Sequence, residues 1–550
     1  MPSPATHLRA PLLWLLLPLM AGLTAAKLWP PPSVGLWPLA TAAGALTIIA
    51  GWCALKPGRA AAFLWAACLS LSGALAGFVL LHVAAPDLHR ADDRAPREIT
   101  VTLEALQLFP AAPSARNLTG IGRITGATET EREVSGRRVY FSAIRKISVS
   151  PQRSGRYLLR GVIGPLPREA AAAGFNDYLA NLGIREKIAR AQIIREEKPP
   201  NGFRRFCSRA ETRLEQILQR GLERHPAISS LYLGMLLGEK AVLSTDQQNA
   251  FMRSGTFHIF SISGLHVGVI AVALQSLLRL VRVPRRPAVI ITLSLLWLYV
   301  QITGASSPAE RSWLMIAFLL GSQVFRLPGN GLAALAAAAL VTLLLDPLQL
   351  FSTGFQMSYT VVTALVVMGV PLAEKWLARW RPFHLLPVGN WRWYHHCSSW
   401  LSRTLVGSVA ACWVAFLASA PSGIGYFQVL SPGSLLANLI IIPVSSLALI
   451  AGFLSLLTGL CGLLSLSVLF NAAAAVTLLV MDWLVLHGIN LPGVYYPAQF
   501  TRAWLAPVSL VFMLAVMLAG LAGGWSRRYG GYWPPAIVLL LLIIFGVKFS

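Results

Sequence analysis

The chain has 550 residues, of which 55% are hydrophobic and only 12% charged. Soluble domains carry about a quarter charged residues, so this composition excludes a purely soluble protein and points to repeated crossing of a bilayer. The formal charge of +24, from 46 Lys and Arg against 22 Asp and Glu, fits either the basic bias of cytoplasmic loops or a polyanionic partner such as nucleic acid.

Residues 11–28 are apolar and follow Arg9. They have the length of a signal peptide ending near Thr24-Ala25-Ala26, but apolar runs at 36–55 and 60–83 follow at once, which makes 11–28 a retained first span. Arg9, Lys56 and Arg59 then place the N-terminus inside and the residues after Val83 outside. From about 84 to 225 the composition is that of a soluble domain. Ile99, Val101 and Leu103 alternate with polar neighbours, 120–130 is rich in Gly and Thr, and 138–147 and 156–163 read as strands, predicting a small β-barrel or sandwich. Arg137, Arg138, Arg145, Lys146, Arg153, Arg156 and Arg160 are interleaved with Tyr140, Phe141 and Tyr157. That pattern suits a strand-binding groove or a solvated basic surface. Phe203, Phe206, Ala210, Leu214, Ile217, Leu218 and Leu222 recur at helical spacing, predicting an amphipathic helix on the membrane surface or against a partner helix.

A second membrane region starts near Ile228. A short helix is expected over 231–243, with Gly234 and Gly238 at small-xxx-small spacing and a polar end at Glu239, Lys240 and Asp246. A span follows at 257–281 and ends on Arg282, Arg285 and Arg286. Further spans are expected at 289–303, 313–325, 331–345, 351–372, 404–420, 435–457, 463–487, 504–522 and 537–547. Lys375, Arg379, Arg381, Arg392 and Arg403 make 374–403 an inside loop, and Arg527 and Arg528 fall inside by the same count. The fold class is therefore an α-helical polytopic membrane protein of roughly 12–14 spans with one inserted extracytoplasmic β-domain.

The segment 253–270, RSGTFHIFSISGLHVGVI, carries His258, Ser261, Ser263, Gly264, His266 and Gly268 inside an apolar run. Ionisable groups at membrane depth mark sites or aqueous paths by default, and the glycines permit close approach or a break in the helix. In a continuous helix Ser263 and His266 share a face, and His258 lies within about a quarter turn of His266. This polar face lines a pore, or its groups are interhelical hydrogen bonds used for packing. Ser263 beside a histidine also admits an intramembrane serine hydrolase, which needs a nucleophile–base hydrogen bond and an oxyanion hole. Glu310 and Arg311 follow TGASSP at a helix start. Glu310 is favoured there by the helix dipole, and Arg311 is placed to meet a phosphate. Gln356, Ser358, Asn438 (before Pro443) and Asp482 are polar groups within other apolar runs.

Several chemistries are missing from the sequence. The cysteines at 53, 68, 207, 397, 412 and 461 form no CxxC pair, which gives no zinc site or disulfide framework. No GxxxxGK[ST] loop or HxHxDH cluster occurs, so neither ATP hydrolysis nor a metal or other cofactor is expected.

The string HIFSISGLHVG closely resembles the signature of the ComEC competence-protein family, inner-membrane channel proteins of bacterial DNA uptake. TGASSPAERSWLM at 303–315, DPLQLFSTGFQMSYT at 346–360, SPGSLLANLIIIPV at 431–444 and GFNDYLANLGI at 174–184 extend the resemblance over nearly the whole chain. It implies N-terminal spans over 1–83, an extracytoplasmic OB-like domain over 84–200, a linker helix over 201–227, a competence-type channel over 228–500 and C-terminal spans over 501–550. It implies a non-enzymatic, multi-pass protein of the bacterial inner membrane that passes single-stranded DNA during natural transformation. Arg137, Arg138, Arg145, Lys146 and Arg156 become DNA-binding candidates, and His258, Ser261, Ser263, Gly264, His266, Gly268, Glu310, Arg311, Gln356 and Asn438 become pore or motif candidates. Many ComEC relatives add a C-terminal metallo-β-lactamase-like nuclease domain, and this chain ends at Ser550 just after an apolar run. The form expected therefore lacks that domain and works with a separate nuclease and a cytoplasmic ATP-driven motor, in membrane lipid, with a homo-oligomer left open. A transporter for another polyanion and the serine hydrolase are the alternatives.

Overall fold

The computed structural model describes residues 11–32, 35–86, 88, 95–109, 117–127, 134–144, 151–167, 175–238, 243–260, 262–327, 329–380, 382–383, 390–526, 528 and 530–549. Three apolar helices open the chain: α1 (Leu13–Leu28), α2 (Trp37–Ala54) and α3 (Arg59–Ala84). Their outer faces leave Trp37, Ile48 and Phe63 more than 70% exposed, as lipid-facing side chains must be. Helix α1 lies close on α3 because glycines remove the side chains between them. A Cβ on Gly22 would sit 1.8 Å from the Ala74 carbonyl oxygen, and one on Gly77 would sit 2.3 Å from that of Leu19. Thr47 and Ser72 join α2 to α3 through hydroxyls 2.7 Å apart, the polar contact expected between helices in lipid.

The β-domain is a closed barrel of β1 (Arg97–Phe109), β2 (Asn117–Ala127), β3 (Arg138–Ile144), β4 (Arg156–Pro165) and β5 (Glu186–Lys198) in the order β1-β2-β3-β5-β4, with α4 (Phe175–Asn181) between β4 and β5. The β3–β5 pair is parallel and every other pair antiparallel. This is a five-stranded barrel of the OB type, as expected. Its core alternates along the strands, with Ile99, Val101, Leu103 and Ala105 of β1 all buried. Strand β5 was not expected. Its outward positions are mostly charged or polar, and Ile188, Ala191 and Ile193, with Glu186, are buried on its inward face. Phe141 and Tyr157, expected beside the basic residues on a binding surface, are instead in the barrel core, each 2% exposed.

The second helical region comprises α5 (Gly202–Gln219), α6 (Pro226–Leu236), α7 (Thr245–Arg253), α8 (Gly264–Leu280), α9 (Arg285–Ile302), α10 (Ser307–Val324), α11 (Gly331–Leu345), α12 (Thr353–Ala364), α13 (Val370–Arg379), α14 (Trp393–Ser422), α15 (Ser434–Leu460), α16 (Leu464–Gly488), α17 (Leu505–Ala522) and α18 (Pro534–Gly546). A wide π turn at Leu365–Gly369 fuses α12 to α13, and another at Gly423–Phe427 extends α14. Short strands β6 (Val429–Leu430), β7 (Tyr496–Phe500) and β8 (Val547–Phe549) tie three loops together. Among the described residues, seven helices are long and apolar enough to cross a membrane, and five shorter apolar helices of 10–17 residues accompany them. Several expected spans are thus shorter helices or helices with polar ends.

The helices pack in three apolar clusters. One joins α1 to α11, α12, α14, α17 and α18. A second joins α5, α6 and α7 to α15 and α16. A third is made by α8, α9 and α10. Helix α5 buries Cys207, Leu214, Ile217 and Leu218 against the second cluster, so its apolar stripe serves a partner helix. Asn471 of α16, fully buried, secures that docking: its Nδ2 donates to the carbonyls of Ile217 (2.8 Å) and Arg220 (3.0 Å) at the end of α5, and its Oδ1 accepts from the Tyr232 hydroxyl. Gly77→Val should force α1 off α3 and lower the unfolding free energy by about 1–3 kcal/mol, the usual cost of overpacking. Thermal unfolding in detergent measures this, and an unchanged midpoint would contradict the close approach described.

Candidate functional site

The 253–270 segment is not one helix. A single 3₁₀ turn at Phe257–Phe260 is followed by a break, and α8 starts at Gly264. Breaking a helix leaves backbone N–H groups without partners, a heavy cost at membrane depth. His266 answers part of that cost. Its Nδ1 accepts the Ser263 backbone N–H (3.3 Å) and lies 2.9 Å from the Ser263 hydroxyl. A side chain at the third helical position that reaches back to the N-cap backbone is one half of a capping box, usually made by Glu or Gln. With Nδ1 accepting, the neutral ring carries its proton on Nε2, which is buried without a partner among the described residues. His266 is 1% exposed. It therefore fastens the break from inside the bundle, whereas His258, on the 3₁₀ turn, is exposed.

Of the two readings of Gly264 and Gly268, close approach is not borne out, while a break does stand just before Gly264. A Cβ on Gly264 would meet only the Ser312 hydroxyl, at an ordinary 3.5 Å, and one on Gly268 would meet nothing within 4 Å. Neither glycine is needed for close packing. Ser261 lies outside the described residues.

Helix α10 begins beside this break. Gly304 and Ala305 both take left-handed backbone (φ 83° and 48°), turning the chain so that Ser306 stands at the start of α10. Arg311, one turn in, is 1% exposed and the largest fully buried side chain. Its Nη1 donates to the Ser307 hydroxyl (2.5 Å), which donates to Gln349 Oε1 (2.8 Å). Gln349 Nε2 donates to Asp346 (3.3 Å). Nη2 of Arg311 lies where a Cβ on Gly354 would be only 3.2 Å away, so the glycine leaves room for the guanidinium. Glu310 is exposed and shares its surroundings with Arg153, Arg204 and Arg311. Gln356 accepts from the Tyr426 hydroxyl and donates to the Leu350 carbonyl (3.1 Å). Asn438, on α15, keeps a buried Oδ1 without a partner among the described residues. Ser431 donates to the Arg253 carbonyl (2.8 Å), and Gly255 abuts Ser434. The stretches around residues 253–266, 303–315, 346–360 and 431–444, far apart in sequence, thus meet in one polar locus within the helical bundle. Asp482 stands apart from it and accepts from Gln247 Nε2 (3.4 Å).

The barrel sits against this locus. Arg153 donates to the Gly304 carbonyl, and burial together with the neighbouring Arg204 depresses the Arg153 pKa, opposed by Glu310. Arg138 approaches Asp346 at 4.0 Å, and Lys27 donates to Asn181 Oδ1 (2.6 Å). The DNA-binding candidates are largely engaged. Arg137 forms a mostly buried pair with Glu186 (2.8 Å) and braces the barrel, while Arg156 lies 3.8 Å from Glu104. Surface pairs of the Arg156 kind are weak and exchange readily. Arg145 and Lys146 lie outside the described residues. Sequence reading picked out Tyr140 but missed the aromatic group it forms on the outer face of β3. Tyr140, Phe109 and Phe175 have ring centroids 5.5–6.3 Å apart, and Tyr178 stacks on Phe175.

The Ser263–His266 approach meets one requirement of a serine nucleophile. However, Nδ1 is shared with the Ser263 backbone, and no carboxylate among the described residues orients Nε2. Among the described residues no group of three or more His, Cys, Asp or Glu could hold a metal ion.

Fold and locus together define a polytopic helical membrane protein with an inserted OB-type barrel, whose broken helices bring polar groups to one place inside the bundle. The family model described as "Competence protein" matches residues 235–523, more than half of the chain, and the chain belongs to that family, the ComEC family. It is 29% identical over 142 residues to ComE operon protein 3 of Bacillus subtilis, covering 26% of this chain and 18% of the relative. It is 25% identical over 232 residues to Recombination protein 2 of Haemophilus influenzae (41% and 28%) and 31% identical over 152 residues to Competence protein ComA of Neisseria gonorrhoeae (25% and 21%). The chain thus spans less than a third of the length of each of these relatives. No solved structure matches it.

If His266 acts as a cap, its identity matters less than its acceptor. His266→Ala should cost about 1 kcal/mol of stability, and His266→Gln should recover most of it. Thermal unfolding of the three proteins in detergent decides; equal loss in both variants would refute the capping role.

Proposed function

We propose that this protein conducts a single strand of DNA across the bacterial inner membrane during natural transformation. The observation that carries the reading is the convergence of the four motif stretches on one polar locus at the helix breaks of an apolar bundle. A strand carries one negative charge per nucleotide, and lipid excludes it unless a polar path exists. Irregular backbone at membrane depth is tolerated only in protein or along a cavity, so the break at Ile262 and Ser263 is the natural wall of such a path, with His258, Glu310, Gln356 and Asn438 as candidates to line it. The barrel lies outside, above this mouth. Tyr140 and Phe175 offer bases a stacking platform, with Arg138 two residues before Tyr140 and Lys187 its partner on β5; Arg156 lies at the far end of β4. The five sections 1–83, 84–200, 201–227, 228–500 and 501–550 then act as anchor, outer module, linker, channel and closing spans.

In this reading the chain does no covalent chemistry. A separate nuclease supplies the single strand, and a cytoplasmic ATP-driven motor draws it in. Full-length protein in nanodiscs should bind an oligodeoxythymidine with an affinity that falls as salt rises, and should neither cut nor unwind DNA with Mg²⁺, Mn²⁺ or Zn²⁺. Loss of labelled-DNA uptake in a deletion strain, restored by the gene, tests transport itself; normal uptake without the gene would sink the proposal. Reporter fusions near Gly161 should read outside, and those near Arg286 and Arg392 inside.

The Ser263–His266 contact favours one other reading, an intramembrane serine hydrolase. A fluorophosphonate probe separates the two, since a conduit leaves Ser263 unlabelled. A transporter for another polyanion would instead be revealed by competition, with polyphosphate displacing the oligonucleotide at equal charge.

A further inference from the structure

Arg311 is a permanent cation shut inside the bundle, and the described residues leave it under-satisfied. Nη1 has the Ser307 hydroxyl, while Nε and Nη2 are buried without a hydrogen-bond partner. Among the described residues no carboxylate forms an ion pair with it, and Glu310, its neighbour in sequence, is exposed. Its surroundings worsen the imbalance. It lies in the second turn of α10 and against Gly354 in the first turn of α12. Both helix starts carry partial positive charge, so two dipoles of the wrong sign converge on a buried cation. A further oddity stands at the same place. Ser306 occupies the N-cap position of α10, where a serine normally accepts a backbone N–H, yet its side chain makes no cap and its hydroxyl is buried without a partner. By contrast, the N-cap Ser352 of α12 accepts the Phe355 N–H at 3.2 Å. An idle hydroxyl, an uncapped helix start and an unpaired guanidinium are the parts of an oxyanion site.

We infer that Ser306, Arg311 and the start of α10 form a binding station for one phosphate group, and, on the conduit reading given above, for one phosphodiester of the passing strand. The guanidinium fork would hold two phosphate oxygens, with the Ser306 hydroxyl donating to one of them. Nε, Nη2 and the Ser306 hydroxyl are closed to solvent, but Ser307, whose hydroxyl holds Nη1, is partly reached by it. A phosphate therefore enters from that side as Ser307 lets go of Gln349, exchanging a neutral hydrogen bond for charge-assisted ones. The room at Gly354 permits the guanidinium to reorient. A station that must close again behind each phosphate suits a path along which the strand moves on.

The test uses full-length protein in nanodiscs and a fluorescent oligodeoxythymidine, titrated at several KCl concentrations. Arg311→Gln should weaken binding about tenfold and flatten the slope of log affinity against log salt by about 0.7, the loss of one phosphate contact on a single strand. Arg311→Lys keeps the charge but loses the fork, so it should weaken binding several-fold with the slope unchanged; it carries the test if the glutamine variant does not fold. Folded variants with the affinity and slope of the parent would overturn the station while leaving strand conduction intact. Should the parent bind no oligonucleotide, conduction fails instead, and inorganic phosphate decides the station separately. Thermal stabilisation by phosphate over chloride at equal ionic strength, absent in Arg311→Gln, would uphold it, and no difference between the two proteins would overturn it.

Discussion

A helix that stops inside a bilayer leaves N–H groups that neither lipid nor water will satisfy. The second helical region of this protein is organised around its answer to that constraint. At the break before α8 the answer is local, with the His266 ring accepting the Ser263 backbone from within the bundle. At the start of α12 it is again local, through the Ser352 hydroxyl. At the start of α10 it is incomplete, with Ser306 idle and Arg311 alongside. The three starts meet through Gly264 against Ser312 and Gly354 against Arg311. Polar side chains are thus found where regular helix gives out, and long apolar spans such as α15 and α16 surround them without interruption.

Much of this was legible in the sequence because lipid imposes simple rules. Apolar runs of some twenty residues gave the spans, and alternation at Ile99, Val101 and Leu103 gave the first barrel strand. The motif resemblance gave an OB-type barrel, which the β1-β2-β3-β5-β4 order bears out. What escaped is instructive. Strand β5 reads as a charged stretch, since its buried apolar positions are only Ile188, Ala191 and Ile193 and its buried Glu186 adds to the charge. Phe141 and Tyr157 alternate with arginines, and alternation alone does not say which set faces inward. The signature reads as a span over 257–281 with a break permitted at its glycines, and the break falls at Ile262 and Ser263, just before α8. His266 there works as a cap, a role that composition assigns to Glu or Gln. Asn471 carried no motif at all; its importance comes from the end of α5, which approaches it only in the folded chain.

The arginines make a further point about reading charge. Arg137, Arg138, Arg156 and Arg160 looked equivalent in sequence, and the fold separates them. Arg137 is held by Glu186 inside the barrel wall, Arg156 and Arg160 lie in exposed pairs, and Arg138 reaches across to Asp346 of the bundle. A net charge of +24 therefore says little about which cations are free to meet a polyanion.

The Arg153 contact with the Gly304 carbonyl has a mechanical meaning. Gly304 stands two residues before Ser306, on a turn of two successive left-handed residues. Regular helix and strand resist deformation, but such a turn is set by a few torsions, and here one barrel side chain grips it. A displacement of the barrel would reach the turn before α10 through this one hydrogen bond, two residues from Ser306. The barrel is in that sense coupled to the start of α10 by a side chain rather than by the chain itself.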